Sequence, residues 1–165
     1  MNRSTEDYCE RKKQEAASKA PAPVLQQQSA HFAEPTTKME FVLVKGGCFQ
    51  MGDTFGDSEM IERENDEMPV HEVCVDDLYI GKYEVTQEQW AAVMGDNSSK
   101  YQECGGNCPV LQVSWDDIQV FLDKLNVSTG KNYRLSTEAE WEYAARSGGK
   151  REKYSGGNDL DSVAK

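Results

Sequence analysis

Apolar segments in the first half of the sequence predict short β-strands. Residues 39–44 are apolar and rich in β-branched side chains, and residues 48–51 form a second short run. Two glycines, Gly46 and Gly47, stand between these runs. Because glycine adopts the backbone angles of tight turns at little steric cost, the two runs are predicted to pair as a β-hairpin.

An acidic loop separates this region from further predicted strands. Residues 53–69 carry seven carboxylates against the single Arg63. Their spacing does not match the alternating ligands and central glycine of an EF-hand, so a solvated acidic loop is favoured over a calcium loop. Residues 71–75 and 78–85 then alternate polar and apolar side chains, which predicts strands. No cluster of metal ligands surrounds His71, which is interpreted as a hydrogen-bonded structural group.

Three helices are predicted in the second half, each with a recognisable start. Thr86 and Thr137 each begin a capping box, completed by Gln89 and Glu140 three residues later. Ser114 opens the middle helix, in which apolar side chains recur at helical spacing. The residues of that apolar face are Ile118, Phe121, Leu122 and Leu125.

Two features of these helices bear on function, and both favour structural roles. Tryptophans at helical spacing are usually core residues, so burial is predicted for Trp90, Trp115 and Trp141. The carboxylates Glu138 and Glu142 flank the capping residue Glu140, and such a group could serve acid–base chemistry. Capping, the helix dipole and pairing with nearby arginines explain these carboxylates better.

Composition separates residues 1–38 from residues 39–165. The first segment is rich in Ala, Gln, Lys, Ser and Pro, has a net charge of +1, and is predicted to be a disordered tail or linker. The second carries a net charge of −12, which repels phosphate backbones and excludes nucleic acid as a partner. No apolar run approaches the ~20 residues of a membrane span, and no apolar segment that could act as a signal peptide follows Met1.

The five cysteines leave two interpretations open. Cys104 and Cys108 flank a short glycine-rich turn, while Cys48 and Cys74 lie on predicted strands that could be neighbours; Cys9 is left over. Disulfides within both pairs are favoured, which would imply an oxidising compartment, periplasmic or exported. Free buried thiols are the alternative, and the lack of a signal peptide in the sequence speaks for them. The compartment therefore stays undecided.

Five motifs in order resemble the formylglycine-generating enzyme, or sulfatase-modifying factor, family. They are FVLVKGGCFQMG (41–52), PVH (69–71), YIGKYEVTQEQW (79–90), CPVLQVSW (108–115) and YRLSTEAEWEYAAR (133–146). The resemblance covers about residues 39–157. It implies an α+β fold, mixed and irregular, related to C-type lectin domains.

The family's namesake enzymes oxidise one cysteine of an unfolded sulfatase segment to formylglycine with molecular oxygen. The resemblance implies copper held by two thiolates, and structural calcium, for the complete family domain. The family pattern normally continues past Lys165, so residues 39–165 are expected to form the N-terminal part of a domain truncated at its C-terminus. No catalytic, cofactor-binding or metal-binding residue can be mapped onto this chain.

Two functions are therefore carried forward. The first is that of an oxidase-family domain with a sulfatase, or another protein or peptide, as partner; this chain alone is expected to be inactive. The second is a non-catalytic binding module with a lectin-like surface. It is favoured by the short stretch from Asp96 to Asn107, where the generating enzymes carry a long insertion. Family members also usually have proline where this chain has Ser136.

Overall fold

The computed structural model describes residues 29–56, 67–97, 99 and 104–163. The strands in this part of the chain are β1 (His31–Ala33), β2 (Glu40–Val44), β3 (Gly47–Met51), β4 (His71–Val75) and β5 (Leu78–Gly81). The helices are α1 (Gln87–Met94), α2 (Trp115–Thr129), α3 (Glu138–Ala145) and α4 (Leu160–Val163). The acidic stretch 57–66 and Cys9 lie outside the described residues.

The chain divides into two compact units. In the described part of the chain, the α1–α2 unit combines Ser29–Leu43 with Tyr79–Leu135, and the β3–β4 unit combines segments from Val44–Leu78 and Ser136–Lys165. The stretch 79–135 is thus inserted between two segments of the β3–β4 unit.

The α1–α2 unit places two helices and a three-stranded sheet around one apolar core. Its sheet has the strand order β1-β2-β5. The buried centre consists of Met39, Trp90, Phe121 and Leu125. The rings of Trp90 and Phe121 stack almost parallel, with centroids 4.9 Å apart. The apolar face predicted for α2 therefore points into this core.

Strand β1 lies in the segment that the sequence assigned to the tail. It pairs antiparallel with β2, with His31 opposite Val42. Phe32 stacks on Phe41 at a centroid distance of 4.9 Å. The folded part therefore begins before residue 39, because cross-strand pairing with β2 supplies the apolar contact that the composition of residues 1–38 does not reveal.

Each of the three longer helices begins at the predicted residue. In every case the capping side chain accepts the amide of the third helical residue, and the side chain of that residue reaches back to the amide of the cap. The pairs are Thr86 with Gln89, Ser114 with Asp117, and Thr137 with Glu140. Hydrogen bonds from Ser114, first from its hydroxyl and then from its amide, lower the pKa of Asp117.

The β3–β4 unit is built on an antiparallel strand pair covered by α3. Phe49 of β3 is buried and meets the Tyr143 ring edge-on, with centroids 5.3 Å apart. The Tyr143 hydroxyl donates to the Lys45 carbonyl at 3.0 Å. Burial first, and then the charge of Asp77, raise the pKa of Tyr143.

The predicted hairpin between residues 39–44 and 48–51 does not form. β2 pairs with β1 and β5, whereas β3 pairs with β4. The Asp77 carboxylate accepts the Gly46 amide at 2.8 Å and the Lys45 ammonium at 2.8 Å. These bonds hold the turn against the β4–β5 connection, so the two strands on either side of the turn pair with other partners.

Only one of the three tryptophans is buried as predicted. Trp90 is 2% exposed, but Trp115 is 65% exposed and Trp141 is 63% exposed. Trp115 is the first residue of α2, one turn before the core-facing positions begin. On α3, Tyr143 rather than Trp141 is buried. The prediction of burial was therefore wrong for both Trp115 and Trp141.

Candidate functional site

The two cysteine pairs predicted from the sequence are both disulfides. Cys48 and Cys74 stand directly opposite each other in the β3–β4 ladder and are bonded. Cys104 and Cys108 are bonded across a loop just before the stretch that leads into α2. The alternative of free thiols is therefore excluded for these four residues in this structure.

A loop in the β3–β4 unit is held by side chains of α3. Arg146, the C-cap residue that follows α3, donates through Nη2 to the Gly52 carbonyl at 2.7 Å and through Nη1 to the Thr54 hydroxyl at 3.1 Å. The same guanidinium pairs with Glu142 at 2.8 Å. Glu142 in turn accepts the Gly52 amide at 3.1 Å. The stretch after β3 is thus fixed by one largely buried ion pair, which the sequence signalled only as carboxylates and arginines close in sequence.

The glutamates of α3 therefore have structural partners. Glu140 accepts the amide of Thr137 at 2.8 Å, which completes the capping box. Glu142 is engaged by Arg146 and Gly52. The structural interpretation of these two carboxylates is confirmed, and the structure provides no reason to assign them to acid–base chemistry.

His71 is also a structural group. Its Nδ1 lies 2.9 Å from the Pro69 carbonyl. A carbonyl oxygen only accepts, so Nδ1 carries the proton in this hydrogen bond. The prediction of a hydrogen-bonded His71 is confirmed.

Glu34 is a buried carboxylate that the sequence analysis did not single out. It is 2% exposed and accepts the Thr36 amide at 3.0 Å, the Thr37 amide at 2.5 Å and the Thr37 hydroxyl at 2.7 Å. Burial opposes ionisation, but these hydrogen bonds outweigh burial and lower the pKa of Glu34. Burial and the charge of Glu34 in turn raise the pKa of Tyr133. The signal in the sequence was a glutamate followed by two threonines.

A buried polar network joins α1 to the segment that follows it. Gln87 and Ser99 are each 2% exposed. Asn97 donates its amide to Gln87 Oε1 at 2.9 Å and accepts the Ser99 amide at 3.0 Å. The Ser99 hydroxyl accepts the Leu111 amide at 2.9 Å. Asn97 and Ser99 are therefore held to α1 and to Leu111 by hydrogen bonds, which the sequence analysis did not predict.

The residues that the structure describes do not fit a copper site built on two thiolates. Four of the five cysteines are in disulfides, and a disulfide sulfur carries no thiolate charge. Within the described ranges, no group of three or more His, Cys, Asp or Glu side chains is placed to hold a metal ion. None of the helices in those ranges is both long enough and apolar enough to cross a membrane.

Comparison with known proteins gives a consistent result. A family profile described as "Sulfatase-modifying factor enzyme 1-like domain" matches residues 26–165. The chain is 34% identical to "Chaperone protein LppX" of Paenibacillus barcinonensis, over 78% of this chain and 54% of that protein. It is 26% identical to "Formylglycine-generating enzyme" of Streptomyces coelicolor, over 86% of this chain and 58% of the enzyme. The chain thus spans little more than half the length of these relatives.

A solved structure shows the same fold. PvdO from Pseudomonas aeruginosa superposes with a TM-score of 0.62 at 26% identity, covering 79% of this chain and 59% of PvdO. The small sheets and few helices described above, together with this match, confirm the predicted mixed α+β fold related to C-type lectin domains.

Proposed function

The chain belongs to the sulfatase-modifying factor enzyme 1-like family, and on that premise we propose that it serves as the scaffold part of a domain that acts on a cysteine-containing protein segment. The parent activity is oxidation of a sulfatase cysteine to formylglycine. Similarity to the Streptomyces formylglycine-generating enzyme over 86% of this chain supports that activity. The role proposed for the described residues is to bind and hold a partner.

The observation that carries this division of roles is the state of the cysteines. The four cysteines in the described part of the chain form disulfides in this structure, and each disulfide lies within one of the two units. Disulfides hold segments together, whereas the copper chemistry of the family needs thiolates. Copper and calcium, which the resemblance implies for the complete family domain, are proposed to be held by other residues.

A second candidate is a binding module with no oxidase role. The stretch between α1 and α2 is short, and its described residues are held by the network of Gln87, Asn97 and Ser99 and by the Cys104–Cys108 disulfide. These contacts support a lectin-like surface on this unit. The relative from Paenibacillus, named as a chaperone protein, is consistent with binding as the principal task.

One experiment separates these candidates. The 165-residue chain is incubated with copper(I), oxygen and an unfolded sulfatase peptide that contains the target cysteine, with a cysteine-to-serine peptide as control. Binding is measured by fluorescence anisotropy of the labelled peptide, and mass spectrometry follows conversion of thiol to aldehyde.

The scaffold role predicts binding of the cysteine peptide with no aldehyde formed by this chain. Aldehyde formation would show that the chain itself holds the catalytic groups and would overturn the division of roles. Failure to bind either peptide would reject the sulfatase partner and leave the binding module with a different ligand. The Cys9→Ser variant, which removes the one cysteine outside the two disulfides, is run alongside to exclude simple disulfide exchange with the peptide.

A further inference from the structure

The Cys104–Cys108 loop contacts the beginning of α1. The Glu88 amide donates to the Gly106 carbonyl at 2.9 Å, and the Gln87 amide donates to the Cys108 carbonyl at 2.9 Å. These are the first two amides of the helix. Two carbonyls of the disulfide loop therefore serve as partners for the start of α1.

These bonds matter because the first amides of any helix have no partner within the helix. The capping box satisfies the Gln89 amide, through the Thr86 hydroxyl at 3.3 Å, and the Thr86 amide, through Gln89 Oε1 at 3.0 Å, but neither of the first two helical amides. The loop satisfies the two amides before it. The start of α1 is therefore capped jointly by a side chain within the same segment and by a loop about twenty residues later in the sequence.

The loop lies in close contact with the helix. A Cβ atom on Gly106 would lie 3.2 Å from the Cβ of Glu88, closer than an ordinary van der Waals contact, so the loop backbone is packed directly against the helix. Beyond the loop, the Val110 amide donates to the Val85 carbonyl at 2.9 Å, which anchors its C-terminal side. On the N-terminal side, Cys104 follows residues 101–103, which lie outside the described part of the chain.

The disulfide is the covalent element that closes this loop. It joins residues only four apart, and Cys104 is exposed at the surface. We propose that the Cys104–Cys108 disulfide is a redox-sensitive clasp that holds the loop carbonyls on the N-terminus of α1. A dithiol reductant breaks the S–S bond, supplies two electrons and two protons to give two cysteine thiols, and is itself oxidised to a disulfide.

Reduction frees Cys104 from Cys108, and the glycine-rich loop gains conformational freedom. The carbonyls of Gly106 and Cys108 then spend less time on the helix, and the first turn of α1 frays. The other disulfide does not act in this way, because Cys48 and Cys74 lie on strands that remain joined by backbone hydrogen bonds when the sulfurs separate. The device is thus specific to one of the two cysteine pairs.

Hydrogen exchange in the full chain tests the clasp. Exchange of individual amides is followed by NMR in oxidised protein, in protein treated with dithiothreitol, and in the Cys104→Ser/Cys108→Ser variant without reductant. Peptide mapping with thiol alkylation records which disulfides are open in each sample. The amides of Gln87 and Glu88 are expected to exchange about tenfold faster in reduced protein and in the double variant, comparable to the loss of one helix cap.

Internal controls keep the result interpretable. In the Cys104→Ser/Cys108→Ser variant, which keeps the Cys48–Cys74 disulfide, the amides of Asp117, capped by Ser114, and of Glu140, capped by Thr137, are expected to keep their exchange rates. Removal of the reductant and reoxidation restores slow exchange at Gln87 and Glu88. The proposal would be overturned if Gln87 and Glu88 exchanged at the same rate in oxidised protein and in protein whose Cys104 and Cys108 are shown to be reduced. Acceleration at Asp117 and Glu140 in the Cys104→Ser/Cys108→Ser variant would also overturn it, because the Cys104–Cys108 disulfide would then hold the whole fold rather than one helix end.

Discussion

Arg146 and Glu142, one helical turn apart, both hydrogen-bond to the backbone of Gly52. The Arg146 guanidinium donates to the Gly52 carbonyl at 2.7 Å, while the Glu142 carboxylate accepts the Gly52 amide at 3.1 Å. The two side chains also pair with each other at 2.8 Å and are mostly shielded from solvent. The ion pair therefore fixes the loop that follows β3, and both charges have partners on the backbone.

Removing the arginine should destabilise the protein measurably. In Arg146→Ala the Glu142 carboxylate loses its cation and the Gly52 carbonyl loses its donor, so the free energy of unfolding is expected to fall by about 2 kcal/mol. Urea denaturation measures this change. The matched control is Arg151→Ala, since Arg151 donates to the Thr54 carbonyl from an exposed position and should cost less than about 1 kcal/mol. Equal losses in the two variants would contradict the importance of the pair.

Gly149 should not tolerate a side chain. Its φ angle is +76°, and a Cβ atom there would lie 2.6 Å from both Phe49 Cβ and Tyr143 Cε2. Gly149→Ala is therefore expected to cost about 3 kcal/mol, combining backbone strain with overpacking. Gly148→Ala is the control, because Gly148 also has positive φ, at +84°, but its nearest atom would be 3.8 Å away. That control should lose only about 1 kcal/mol, and the difference in thermal or urea stability isolates the steric contact.

The three tryptophans should differ sharply when truncated. Trp90 is buried against Phe121, so Trp90→Ala is expected to cost about 4 kcal/mol and to prevent folding if the protein is marginal. Trp115→Ala and Trp141→Ala remove exposed rings and should change stability by no more than about 0.5 kcal/mol. Circular dichroism melts of the three variants check this order. A large loss of stability in Trp115→Ala or Trp141→Ala would show that the ring is buried in solution.

These tryptophans also show which features of the structure could be predicted from the sequence and which could not. The helix starts at Thr86, Ser114 and Thr137 were predictable, because a capping box is local and depends on residues three apart. Burial is not local: whether Trp141 or Tyr143 points inward depends on which strand the helix covers. Helical spacing alone cannot decide between them.

Strand pairing was subject to the same limit. Strands β2 to β5 were predicted, but β1 was not. The pairing of β2 was also missed, since the Asp77 carboxylate that accepts the Gly46 amide comes 31 residues later. The disulfides were predictable only as one of two options, because cysteine spacing does not report oxidation. The network of Gln87, Asn97 and Ser99 was not predicted, because side chains ten and twelve residues apart share no local pattern that would pair them.

Glu34 should give stability a measurable dependence on acid pH. Folding lowers the pKa of Glu34, so its contribution is fully present above the unfolded pKa and is lost as the pH falls through the folded value. Glu34→Gln is expected to lower the free energy of unfolding by about 2 kcal/mol at neutral pH. The difference in the free energy of unfolding between Glu34→Gln and the parent protein should become smaller below about pH 4, near the unfolded glutamate pKa. Glu138→Gln, which removes an exposed carboxylate, is the control, and a gap that is independent of pH would contradict the assignment.

The β3–β4 disulfide should stabilise the protein by restricting the unfolded chain. Cys48 and Cys74 are 26 residues apart, so Cys48→Ser/Cys74→Ser is expected to cost about 3 kcal/mol. The comparison is Cys104→Ser/Cys108→Ser, which opens a loop between residues four apart and should cost less. Calorimetric melts without reductant rank the two variants. If Cys104→Ser/Cys108→Ser were the more destabilised variant, its disulfide would act by stabilising the native state rather than by restricting the unfolded chain.

The insertion of residues 79–135 within the β3–β4 unit has a consequence during translation. Gly52 leaves the ribosome 94 residues before the arginine that holds it. At the usual pace of synthesis that interval is roughly ten seconds, far longer than a small helix needs to form. During synthesis the residues of α1 and α2 are therefore available to fold before α3, the helix that covers β3 and β4, has been made.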